Sequence, residues 1–198
     1  MAINIQKYNP EWKAKFEKLR EYLLSHFANN DLTIEHVGST SVPGMSAKPI
    51  IDIDLIIENN NEILKKVINK LENLGYTHLG EMGISGREAF KRNSLKTPTT
   101  ENGKEWFEHN LYVCKKGSIG LNNHLTLKKH LLNNPEKVIE YSELKQKLVE
   151  KFPNDIDSYV DGKTDFIIDI LKKEGINSSE TELIENENKK PTHNNGYK

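Results

Sequence analysis

Cysteine is nearly missing from this chain of 198 residues: Cys114 stands alone, which excludes an internal disulfide and a multi-cysteine metal site. It lies in an apolar stretch, so it reads as a buried, inert thiol rather than a nucleophile. Long hydrophobic runs are missing too. None approaches the ~18 residues of a membrane-spanning helix, and the start, MAINIQKYNPEW, has no signal-peptide core. A cytoplasmic protein without a membrane partner is the expectation. Nor is there an excess of either charge. With 28 Lys and Arg against 29 Asp and Glu the net charge is −1, so nothing draws the whole chain to nucleic acid or acidic membranes. No stretch interleaves aromatic with basic residues, so there is no strong nucleic-acid signature. What is present, 35% hydrophobic and 29% charged residues, suits one soluble domain with its own core.

Asn9-Pro10 offers a cap and a first helical residue, and Trp12, Phe16, Leu19, Leu23 and Phe27 follow at helical spacing. This predicts a helix over 10–27, stopped by Asn29-Asn30-Asp31. Strands are expected at 32–37 and 50–57, with a Gly-, Ser- and Pro-rich loop between them. A helix then runs to Gly75 on Ile63, Leu64, Val67, Ile68, Leu71 and Leu74. Weaker strands are expected at 76–79 and 88–93, a mobile loop at 95–104, and a strand at 106–114. Helices at 119–132, 135–152 and 156–173 complete the domain, residues 1–173. Residues 174–198 are polar and without a sustained period, and a disordered tail is expected there, with His193 solvated. Strands gathered early and helices late give an α+β chain with a mixed sheet and helices packed mainly on one side.

The richest segment is IEHVGSTSVPGMSAKPIIDIDLIIE, residues 34–58. Asp52 and Asp54 are two apart on a strand, so both project from one face while Ile51, Ile53 and Leu55 project from the other. Paired carboxylates on an apolar strand need compensation, and Mg²⁺ or Mn²⁺ supplies it, since Mg²⁺ takes a few carboxylates plus phosphate oxygens. A solvated sheet face, with Lys48 or Arg87 as ion partners, is the bland alternative. The turn before the strand favours the site: Gly38 lets the backbone approach a ligand, Ser39 and Thr40 offer hydroxyls and N–H groups to phosphate, and Lys48 adds charge. A Gly-Ser turn followed by Asp-x-Asp is a nucleotidyltransferase layout. His36 either contacts a phosphate, orients Ser39, or is a packed structural histidine. Glu108 is either a third acid from the neighbouring strand or an exposed edge residue.

Gly162-Lys163-Thr164 resembles the end of a phosphate-binding P-loop, but its first glycine would fall at Asp157, so the reading fails. Lys163 is read instead as a helix-surface residue or a late contact to the site. His124 and His130 share no zinc-like spacing with acids, and surface or capping roles are expected.

His36-Val37-Gly38-Ser39-Thr40-Ser41-Val42-Pro43-Gly44-Met45, then Ala47-Lys48-Pro49-Ile50-Ile51-Asp52-Ile53, resembles the signature of GrpB proteins. Tyr8 to Trp12, Gly75-Tyr76, Gly83 to Arg87, Asn134-Pro135, Tyr141 to Lys145, and Tyr159 with Lys163 extend the resemblance over about 5–171. It implies a palm-like nucleotidyltransferase fold and leaves the reaction open. Two departures stand out. The family strand near residue 110 typically reads like His-His-Leu-His-Val, where this chain has His109-Asn110-Leu111-Tyr112-Val113. Lys128-Lys129 replaces an Arg-Asp pair.

The functional expectation is a metal-dependent nucleotidyltransferase that takes an NTP and an unknown acceptor. Asp52 and Asp54 would bind metal and, with Glu108, do the chemistry; His36, Gly38, Ser39, Thr40, Lys48 and Arg87 would bind the nucleotide. The alternative is a non-catalytic protein binding a nucleotide or phosphometabolite on the same fold.

Overall fold

A computed structural model describes residues 2–27 and 32–188. Strand β2 (Ile51–Ile57) pairs antiparallel with β1 (Thr33–Val37) and parallel with β5 (His109–Lys115). β4 (Arg87–Arg92) and β3 (Tyr76–Gly80) continue the sheet antiparallel, in the order β1-β2-β5-β4-β3. The result is the mixed sheet of an α+β domain that the sequence pattern predicts.

Alternation sorts the side chains into two faces. Ile51, Ile53 and Leu55 join Leu111 and Val113 in a core closed by α1 (Glu11–Leu24) and α2 (Asn61–Asn73). Helix α1 contributes Trp12, Phe16, Leu19 and Leu23, and α2 contributes Leu64, Val67 and Leu71, the stripes their sequences predict. Each such side chain removed from water is worth roughly 1.5–3 kcal/mol. Asn9 accepts from the Glu11 N–H at 2.9 Å, and Asn60 caps α2 through Glu62 and Ile63. The expected Asn29-Asn30-Asp31 stop lies outside the described residues, as do His193 and the chain beyond residue 188.

The other sheet face carries Asp52 and Asp54, and a second apolar cluster lies beyond it. Val42 and Met45 of the loop after β1 meet Leu131 of α3 (Ile119–Asn133), Val138 and Tyr141 of α4 (Pro135–Lys151), and Ile170 of α6 (Thr164–Lys173). The site sits between this cluster and the sheet.

Four expectations need correction. The last predicted helix is two, α5 (Ile156–Asp161) and α6, because Gly162 passes so close to Leu148 that a Cβ would lie 2.4 Å from it, and the chain turns there. The expected tail contains helix α7 (Ser178–Asn188), with Thr181 and Ile184 buried; Ile184 packs on Ile168 and Leu171, a contact its mostly polar sequence conceals. The 95–104 loop is anchored rather than free: Thr99 N–H donates to Leu74 O at 2.8 Å and Trp106 Nε1 donates to Pro98 O at 2.9 Å. The strand expected from residue 106 begins at His109.

Candidate active site

Gly38 adopts a φ of 68° and opens a single 3-10 turn, Ser39–Ser41. Its missing side chain makes room for a carboxylate: a Cβ there would stand 2.2 Å from Asp52 Oδ2. Asp52 is thus held between the turn and β5, where Asn110 Nδ2 donates to its Oδ1 at 2.7 Å. Burial pushes the Asp52 carboxyl above its ordinary value, against the pull of Asn110, His124 and Lys48. Asp54 is 0% exposed. The Nδ1–H of His124 on α3 donates to its Oδ2 at 2.8 Å, while its Oδ1 has no hydrogen-bond partner among the described residues. Cys114 shares this face; burial and the Asp54 carboxylate push its thiol far up, in line with the inert thiol expected.

Beside Asp52 lies a polar cavity of about 180 Å³ lined by Ser39, Thr40, Lys48, Lys145, Tyr159 and Lys163, among others. Lys145, 2% exposed, donates to Ser39 Oγ at 3.0 Å and to the Ser46 carbonyl. The Tyr159 ring carries the Lys163 ammonium at 4.6 Å and that of Lys48 at 5.9 Å, a cation–π arrangement that keeps both charges at the cavity. Burial, followed by the charge of neighbouring lysines, lowers Lys145 to about 7 and Lys163 to about 8. Burial also lowers Lys48, opposed by Asp52. The cavity therefore faces three lysine side chains against one carboxylate.

The structure brings Gly38, Ser39, Thr40, Lys48 and Asp52 together around the cleft, while Asp54 lies buried behind it against His124 and lines neither of its cavities. Arg87 reaches the same cleft from the start of β4, its guanidinium 4.7 Å from the Tyr112 ring centre. Two other predicted residues are placed elsewhere. His36 pairs with Ile53 in the ladder and so points to the apolar face, stacked on Phe16 at 4.6 Å. Its Nε2 donates to Thr40 Oγ1 at 2.9 Å, so it braces the turn from behind, and burial lowers it to about 4. Glu108 precedes β5, and its side chain, 60% exposed, pairs with Arg92 at 3.2 Å. The place opposite Asp52 belongs to Asn110. Among the described residues no three His, Cys, Asp or Glu side chains group as a metal site.

Sequence reasoning missed His124 and Lys145 and left Lys163 undecided. His124 is 70 positions from Asp54, and Lys145 is 106 from Ser39, so no local spacing announces either contact. His130, also expected at the surface, donates from Nδ1 to Glu174 at 2.7 Å.

A sequence model described as GrpB protein matches residues 2–173. YqkA of Bacillus subtilis is 32% identical over 165 residues, covering 83% of this chain and 45% of the relative. The glutamate-rich protein GrpB of Alkalihalophilus pseudofirmus is 32% identical over 166 residues, covering 84% and 92%. The chain thus spans under half the length of the first relative and nearly all of the second. The crystal structure of conserved protein GrpB from Enterococcus faecalis superposes with a TM-score of 0.71 at 32% identity, over 86% of this chain and 96% of that one. No helix of the described residues is long and apolar enough to cross a membrane. The turn, the carboxylate strand and the lysine-bearing helices all lie inside the matched span, and the chain belongs to the GrpB family.

Proposed function

We propose that this cleft binds a nucleoside triphosphate with a divalent cation and transfers the nucleotidyl group to an acceptor. The observation that supports the reading is the convergence of Lys48, Lys145, Lys163 and Ser39 on one small cavity beside Asp52. Burial is the main cause that lowers all three lysines, and a neighbouring lysine adds to it at Lys145 and Lys163, so each charge there lacks solvent and sufficient counter-charge. A polyphosphate supplies that counter-charge and accepts charge-assisted hydrogen bonds from the same groups.

Mg²⁺ or Mn²⁺ suits the donors: hard carboxylate oxygens on one strand face, one of them, Asp54 Oδ1, without a partner among the described residues. Mg²⁺ commonly takes only one or two carboxylates and completes its shell with phosphate and water, so a third acid is not required. Asp52 and Asp54 would hold it, and its charge would offset that on the phosphates and polarise the attacking oxygen. Lys48, Lys145, Lys163 and Ser39 would bind and orient the terminal phosphates. Asn110 would fix the direction of Asp52, and Arg87 would balance charge from the β4 side. His36 would keep Thr40 in place without touching ligand, and Glu108 has no part.

A second reading has its own support: Asp54 is fully buried, with one oxygen already engaged by His124. On that reading the cleft binds a nucleotide or phosphometabolite without turnover.

Thermal melts with each Mg·NTP at millimolar concentration test binding. A hundredfold excess over Kd stabilises by about 2.7 kcal/mol, a shift of several degrees. Asp52→Asn is expected to lose the magnesium-dependent part. No shift with any of the four NTPs, or an equal shift in Asp52→Asn, counts against the proposal. Incubation of α-³²P-labelled NTP with cell extract then separates the readings: label moved to another molecule means transfer, and binding without label transfer favours the non-catalytic protein.

A further inference from the structure

Past Asp52 the cleft continues into a second cavity of about 250 Å³, which shares Ser39, Asp52 and Lys163 with the first. Its character is different. Tyr112, with Arg87 against its ring, forms one side, and the aliphatic side chains of Ile84, Leu127 and Ile167 form others. One wall residue comes from α7: Ile184, 6% exposed and seated on Ile168 and Leu171. Helix α7 lies outside the residues 2–173 that the family model matches.

The two cavities meet at Asp52, and this fixes how an elongated phosphate ester would lie. With its terminal phosphates on Lys48, Lys145 and Lys163, the rest of the molecule has to pass Asp52 into the second cavity. An aromatic ring with aliphatic walls and a few polar groups is the surface that takes a flat heterocycle. We infer that the second cavity holds the nucleoside and that Ile184 of α7 is a specificity-determining wall residue for it. The inference rests on the proposed function, since it needs the phosphates in the lysine cavity. A cavity this small has no slack: added bulk at position 184 displaces the nucleoside, and lost bulk leaves it unsupported. Neither change reaches the phosphate end.

Calorimetric titrations of the full-length chain would compare two kinds of probe, inorganic tripolyphosphate and the tightest-binding of Mg·ATP, Mg·GTP, Mg·CTP and Mg·UTP. Ile184→Trp fills the cavity and is expected to weaken the nucleotide by on the order of tenfold or more, with tripolyphosphate within about twofold. Ile184→Ala removes the wall without adding bulk and should move the nucleotide in the same direction. Leu183→Ala, at a position 51% exposed on the same helix, should change neither ligand. If both Ile184 variants leave the nucleotide unchanged, or both ligands weaken in step, the inference is overturned. Wild-type binding of tripolyphosphate but of no nucleotide also overturns it, while leaving the phosphate site in place. Binding of neither probe by the wild type removes the proposed function itself, and this inference with it.

Discussion

A methyl group at position 38 would stand 2.2 Å from Asp52 Oδ2, so the turn and the carboxylate occupy one space only because Gly38 has no side chain. The φ of 68° adds a second demand for glycine. Gly38→Ala should cost about 1–3 kcal/mol in backbone strain and push Asp52 from its position against Asn110. The expected outcome is a lower urea midpoint and loss of the Mg·NTP shift in whatever fraction stays folded. Retention of that shift would mean that Asp52 tolerates the displacement. Gly38, Ser39, Lys48 and Asp52 were legible in the sequence because they fall within one short segment whose spacing is itself the signal. Of the two readings open for Glu108, the structure matches the exposed residue, for a complementary reason. Alternation assigns a strand residue to a face, but Glu108 precedes the strand and Arg92 draws its carboxylate away.

Among the elements, α4 acts as a clamp on the 39–47 loop. Ser142 Oγ accepts from the Ser46 N–H at 3.0 Å and donates to Val138 O at 2.7 Å, and one helical turn later Lys145 reaches Ser39 and the Ser46 carbonyl. Lys145→Met keeps much of the side-chain volume and removes the donor. Amides in the 39–47 loop should then exchange faster by about tenfold, equivalent to ~1.4 kcal/mol of local opening, while those of β2 stay unchanged. Uniform acceleration across the sheet would instead mean that Lys145 supports the whole fold. The clamp was invisible from sequence, where Lys145 is one lysine among several on a helix. The break between α5 and α6 was hidden likewise: the apolar period runs through Gly162 and Lys163, and only the proximity of Leu148 shows why the chain turns.

For the whole molecule, acid should weaken the fold well before its carboxylates are all protonated. His36 and His109 are both buried, and burial lowers them to about 4 and about 3. Burial keeps His109 neutral, against the pull of its Nδ1–H bond to Phe107 O at 3.0 Å, and the Tyr76 hydroxyl meets its Nε2 at 2.7 Å. Below the ordinary histidine value of 6.5 the unfolded chain takes up protons that the folded chain refuses, so stability falls as pH drops from 6.5 toward 4. Asp52, raised by burial, works in the opposite direction. The urea midpoint should be lower at pH 5 than at pH 7.5, by on the order of a few kcal/mol in stability, and His36→Gln should flatten the profile. A level profile in the wild type would contradict the burial of both rings. The fold class and the order of most elements could be read from periodicity. Helix α7 could not, because its attachment depends mainly on Ile184, a single apolar residue that periodicity cannot weigh. One inconspicuous residue completes the description at this scale. Cys114 is buried on β5 next to Asp54, and the chain has no other thiol. Alkylation therefore counts each opening of the strand beside the carboxylates, and the protein carries its own reporter for the state of its site without an engineered label.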